Sequence, residues 1–196
     1  MSKWKEIISA IVLSIIVVLV ITFILYNKNR NSPEETVSVF LNLIKNGEIL
    51  QCQQYIGTNE EISKKILPNE DKILEDIFRK AYSKLGYEIK TVVTDKSNNK
   101  ARVSVDIYVP NFIELMAQSM DEAFKSTPNK KDTEKLDKTI FNIMMKNIDE
   151  ENIPKVKSSI IVDLDYKNNR WVLQPNEDFF TAIKGGLEYI PKIFEE

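Results

Sequence analysis

Hydrophobic patterning divides the chain into one unbroken apolar run and a long tract in which apolar residues recur at helix and strand periods. From Ile7 to Tyr26 there is no charged residue, and Ile, Val and Leu dominate. As a helix this segment is about 30 Å long, matching the hydrocarbon core of a bilayer. A secretory signal core is shorter, roughly 7–15 residues, and ends at a small-x-small cleavage site. This run ends Thr22-Phe23-Ile24-Leu25-Tyr26 without such a site, and no lipoprotein-type Cys follows it. Trp4 and Tyr26 stand where interfacial aromatics settle. The pattern predicts an uncleaved transmembrane anchor at 7–26, after a cytoplasmic tail at 1–6 and before a polar linker at 27–31. Fully extended, that linker spans only about 17 Å and would hold the following domain against the bilayer. Lys3 and Lys5 before the run nearly balance Lys28 and Arg30 after it. A short basic tail ahead of a first helix and a large domain behind it favour an inside N-terminus and an outside domain.

Beyond the linker the periodicity is that of a folded domain. Ser32-Pro33-Glu34-Glu35 is a helix start, with a Ser N-cap, Pro at N1 and Glu at N3. Val37, Phe40, Leu41 and Ile44 then form one stripe, closed by Gly47. A short helix is expected from Glu48 to Ile56, and a further helix is marked by Ile73, Leu74, Ile77, Phe78, Ala81 and Leu85 ahead of Gly86. The period then switches to two. Tyr87, Ile89, Thr91 and Val93 alternate with Glu88, Lys90, Val92 and Thr94, and Val103, Val105, Ile107 and Val109 alternate with polar neighbours across the turn Asp95–Lys100. This predicts an antiparallel hairpin with one apolar face. Two amphipathic helices follow, one with Phe112, Leu115, Met116, Ser119, Ala123 and Phe124, the other with Leu136, Ile140, Ile143, Met144 and Ile148. Met116, Met120, Met144 and Met145 keep helical period and read as core filling. A second hairpin, Val156–Tyr166 with Arg170–Gln174, turns at Lys167-Asn168-Asn169; a last helix runs through Phe179, Phe180 and Ile183 to Gly185-Gly186. The folded domain is expected over 32–190, with 191–196 a tail.

Composition removes several classes of function. Beyond residue 30 the chain carries 23 basic and 28 acidic residues, net −5, without the basic patch that nucleic acid demands. There is no histidine, so a Ser-His-Asp or Cys-His site or a His-containing zinc site cannot be built. A single cysteine, Cys52, excludes an internal disulfide and a Cys cluster, and among polar neighbours it reads as a partly buried, inert thiol. The five glycines form no phosphate-cradling loop.

The order of elements resembles the extracytoplasmic nuclear-transport-factor-2-like (cystatin-like) domains of clostridial and related Gram-positive surface proteins, which are largely of unknown function. The resemblance rests on Ser32-Pro33-Glu34-Glu35 leading into Val39-Phe40-Leu41-Asn42-Leu43-Ile44-Lys45-Asn46-Gly47-Glu48, on the strand pair around Asn168-Asn169-Arg170-Trp171, and on Gly185-Gly186-Leu187. It covers most of residues 32–190. It implies an α+β cystatin-like cone: a curved antiparallel sheet of about four strands packed on helices, with a helical insertion between the two hairpins. Many of those proteins carry a lipobox cysteine, which a membrane helix replaces here.

In that architecture the sheet can enclose a pocket, and ketosteroid isomerase in the wider superfamily places an Asp base and a proton donor there. The only candidates on the polar strand faces are Arg102, Asp106, Tyr108, Asp163 and Asp165. An alternating polar set is ordinary for a half-buried sheet, so a solvated or partner-facing surface is the simpler account. Asp163-x-Asp165 with Asn168 and Asn169 superficially matches an oxygen-ligand loop but lacks the Gly and distal Glu of an EF-hand. No metal and no cofactor is expected. The sequence therefore predicts a non-catalytic, single-pass, extracytoplasmic binding or scaffold module whose partner is a protein or envelope component, with a homodimer through the sheet as its oligomeric option. The alternative is a small-molecule sensor or isomerase-like enzyme using a cone pocket with Asp106, Tyr108 or Asp163.

Overall fold

The computed structural model describes residues 31–57, 61–67, 72–126 and 133–186. The apolar run 7–26 expected to be an anchor, residues 1–6 before it, most of the linker and the C-terminal residues 187–196 lie outside the described residues. Among the described residues no helix is long and apolar enough to cross a membrane. The elements in chain order are α1 (Pro33–Lys45), a 3₁₀ helix (Ile49–Tyr55), α2 (Ile62–Ile66), α3 (Lys72–Tyr82), β1 (Gly86–Asp95), β2 (Lys100–Pro110), α4 (Phe112–Ser126), α5 (Thr133–Asp149), β3 (Lys155–Lys167), β4 (Arg170–Gln174) and α6 (Glu177–Lys184). The chain is thus α+β, with one four-stranded antiparallel sheet in the order β1-β2-β3-β4 and a helical pair between its two hairpins.

The helix starts follow the local chemistry of the sequence. Ser32 Oγ accepts from the Glu35 amide at 3.0 Å, and Asn176 Oδ1 accepts from the Phe179 amide at 3.0 Å, each satisfying a donor that the first helical turn leaves open. The second hairpin turns on Asn168 and Asn169, at φ 51° and 63°, the two positive-φ residues of a type I′ turn that suits twisted strands. The segment read as a short helix at 48–56 is a 3₁₀ helix over Ile49–Tyr55. The five-residue α2 was not visible in the pattern, since Ile62 and Ile66 alone mark its buried side.

One core holds these parts together. On β2 the residues Ala101, Val103, Val105, Ile107 and Val109 are buried together with Phe40, Leu41 and Ile44 of α1, Leu115 and Met144 of the helical pair, and Phe179 and Ile183 of α6. Phe40 and Phe179 meet edge-on, with ring centroids 5.6 Å apart. Opposite rows of β2 and β3 face away from this core.

The strict alternation expected for β1 breaks at Lys90. Ile89 pairs with Val105 but Thr91 pairs with Ser104, leaving Lys90 as a bulge. One extra residue exchanges the two faces of everything beyond it. Val92 therefore joins the Val103 row, while Val93, grouped in the sequence with Tyr87 and Ile89, pairs with Arg102 on the other face and is 64% exposed.

The end of α6 is set by Gly185, left-handed at φ 57°, whose carbonyl accepts from the Phe112 amide at 3.2 Å and so seats α6 against the start of α4. A Cβ there would lie 2.6 Å from both the Pro110 carbonyl oxygen and Val109 Cγ2, whereas at Gly47 (φ 76°) the nearest atom would be 3.5 Å away. Gly185→Ala is expected to lower unfolding stability by more than the roughly 1–2 kcal/mol of left-handed strain alone, and Gly47→Ala by no more than that, as read by urea unfolding.

Candidate functional site

Pairing across the sheet brings the polar positions of three strands onto one outer surface. Tyr108, Asp106, Ser104 and Arg102 of β2 stand opposite Lys157, Ser159, Ile161 and Asp163 of β3, respectively. On the other side Glu88, Thr91 and Val93 of β1 stand opposite Asp106, Ser104 and Arg102. Asp165 continues the β3 row opposite Val172. All five candidates from the sequence thus share the face turned away from the core, and none of them lines a space between sheet and helices.

Asp106 is the centre of this surface. It is only 4% exposed although it sits on the outer face. Lys157 Nζ lies 2.8 Å from Oδ2, Ser159 Oγ donates to Oδ1 at 2.6 Å, and Lys90 Nζ lies 3.5 Å from Oδ2. The bonds from Lys157 and then Ser159 lower the Asp106 pKa to about 2, overcoming the opposing effect of desolvation. Lys157 is raised in turn, chiefly by Asp106, and Lys90 chiefly by Glu88, which lies 2.6 Å away. Lys157 also sits over the Tyr108 ring at 5.9 Å. A carboxylate held ionised by two ammonium groups is a poor proton acceptor near neutral pH.

The other candidates form separate surface contacts. Arg102 Nε donates to Asp163 Oδ1 at 3.1 Å, with both side chains more than half exposed. Asp165 lies 2.9 Å from Lys167 Nζ and accepts from Gln174 Nε2 at 3.3 Å. Asp163 and Asp165 therefore have cationic neighbours within the sheet, while Asn168 and Asn169 serve the turn. Among the described residues no group of three His, Cys, Asp or Glu side chains is placed to hold a metal.

A surface groove of about 490 Å³ lies between the 3₁₀ segment and α3, lined by Gly47, Ile49, Leu50, Leu67, Glu75 and Arg79 among others. Arg79 closes one end, donating to the Gly47 carbonyl at 2.9 Å and pairing with Glu75 at 2.7 Å. Cys52 is fully buried rather than partly so, and burial pushes its thiol up to about 12. Such a thiol is inert at neutral pH. In α4 the Ser119 hydroxyl is buried without a hydrogen-bond partner among the described residues.

Sequence reasoning singled out Asp106 but not Lys157, Ser159 and Lys90 around it. The first two were legible as polar alternates on β3, yet only the β2–β3 register puts them against Asp106. Lys90 reaches it through a bulge that no residue type announces. Comparison with protein-family models, curated proteins and solved structures yields no match for this chain.

The Asp106 network has a pH signature. Its folded pKa lies below the ordinary carboxylate value of about 3.9, so its stabilisation is complete above that value and is lost as pH falls through about 2. Asp95, lowered to about 2 by Ser97 and Asn98 in the β1–β2 turn, acts in the same window. Asp106→Asn is expected to lower the thermal midpoint at pH 7 and to flatten, without abolishing, the loss of stability between about pH 4 and 2. Thermal unfolding across that range measures both effects.

Proposed function

We propose that this chain is a single-pass membrane protein whose domain at 32–190 stands outside the cell and serves as a non-catalytic binding or scaffold module beside the bilayer. The observation that carries this reading is the apolar run Ile7–Tyr26, joined to the helix start at Ser32 by a linker that reaches at most about 17 Å. The order of helices, hairpin, helical pair, hairpin and final helix supports placing the domain among the nuclear-transport-factor-2-like, cystatin-like folds. Its partner is a protein or an envelope component, met on the outer sheet face. That face offers Ile161, 55% exposed, and Val93 beside the exposed Arg102–Asp163 pair, an apolar contact with a charged rim.

An isomerase-like reading needs a dry pocket with a carboxylate of elevated pKa. Asp106 is lowered instead, and the five candidate side chains sit on the face away from the core. Both facts weigh toward binding.

In-cell crosslinking of the full-length protein, followed by identification of captured partners, tests the reading. Capture is expected to survive Asp106→Asn and Asp163→Asn and to fall by about tenfold or more with Ile161→Asp, which puts a charge at the centre of the contact. Loss of capture in a stably folded carboxylate variant, or undiminished capture by Ile161→Asp, contradicts it.

A further inference from the structure

The two edges of the sheet are finished differently. Along β4 the chain covers the edge: Ile56 forms a parallel bridge to Leu173, and the Gly57 amide donates to the Leu173 carbonyl at 3.0 Å. Gly57 packs so closely there that a Cβ would meet the Gln174 side chain at 2.0 Å. The β1 edge has no ladder partner besides β2 among the described residues. Its first half carries the usual protection, with charged Glu88 and Lys90 and a bulge. Its second half does not. Thr91-Val92-Val93-Thr94 is uncharged, rich in β-branched residues and exposed throughout. Such an edge is a template for another strand.

We propose that this edge pairs with the same edge of a second copy, in antiparallel register, joining two four-stranded sheets into one. The segment is self-complementary. It reads Thr-Val-Val-Thr in either direction and is flanked by Lys90 at one end and Asp95 at the other. Antiparallel pairing with Val93 opposite Val93 of the second copy keeps the two outer faces on one side of the joined sheet and brings each outward-facing Lys90 diagonally toward the other copy's Asp95, while parallel pairing would set like charges side by side. A ladder this short falls well below the roughly 1,200 Å² of a stable interface, so it forms only where copies are concentrated. The shared membrane of the reading above supplies that concentration, and the inference rests on that reading to this extent. Pairing would also make the two outer faces continuous, doubling the surface presented to a partner.

Full-length protein in its native membrane, carrying Val93→Cys, is treated with a short bifunctional maleimide. Because Cys52 is buried, the introduced thiol is the reactive one. The expected result is a dimer of the chain, several-fold more abundant than with Ile161→Cys, a position on β3 of similar exposure (55% against 64% for Val93). Adding Thr94→Lys to Val93→Cys should return the yield to the Ile161→Cys level, with continued protection of Cys52 confirming that the fold persists. Equal yields from Val93→Cys and Ile161→Cys, or no effect of Thr94→Lys in the folded protein, overturn the inference. Crosslinking of Val93→Cys to a different polypeptide without a homodimer also overturns it, yet leaves the binding module standing.

Discussion

Everything in the domain depends on β2 being committed on both sides at once. Its inward row, from Ala101 to Val109, is buried by α1, α6 and the helical pair, and fully burying side chains of this kind is worth roughly 1.5–3 kcal/mol each. Its outward row is paired residue by residue with β1 and β3, including the polar pairs Asp106–Ser159 and Arg102–Asp163. Because side chains alternate with a period of two, a slip of one residue would expose the whole apolar row and bury Arg102 and Asp106 against the helices. The register is therefore fixed by the core and then inherited by the surface. Asp106 meets Ser159, and Arg102 meets Asp163, because Val103 must face the helices.

This inheritance explains how a carboxylate can be almost wholly covered and still keep a lowered pKa. Asp106 is held by Lys157, Ser159 and Lys90, so its neighbours supply opposite charge and a hydrogen bond. Burial of the kind that raises a carboxyl pKa would need apolar walls. The observed arrangement ties β1, β2 and β3 together on the face that the helices do not reach. It leaves the rest of that face, around Ile161, Val93 and the Arg102–Asp163 pair, exposed.

The legible parts of the fold were those governed by local chemistry. Ser32 and Asn176 cap helices because their side chains satisfy nearby amides, and Asn168-Asn169 turns the chain because both residues tolerate positive φ. The alternating rows of β2 and β3 gave the faces correctly. What escaped was set by tertiary context. The bulge at Lys90 reversed the faces of Thr91–Thr94, Cys52 went to the core despite its glutamine neighbours, and the two isoleucines of α2 were too few to show a period. For the candidate site, Asp106, Tyr108, Arg102, Asp163 and Asp165 were correctly grouped as outward-facing side chains. Their partners were not named, because a partner is a property of register and not of either strand alone.

The proposed placement of this domain outside the cell, behind a membrane anchor, is open to a direct test. Cys52 cannot report its side of the membrane, being buried with a raised pKa. Ser97, exposed in the β1–β2 turn, can do so as Ser97→Cys in the full-length protein. Labelling of intact cells with a membrane-impermeant maleimide is predicted to modify this cysteine fully before lysis, with the protein recovered in the membrane fraction. Labelling that occurs only after lysis would place the domain inside the cell, and recovery of the protein free of membrane would rule out the anchor.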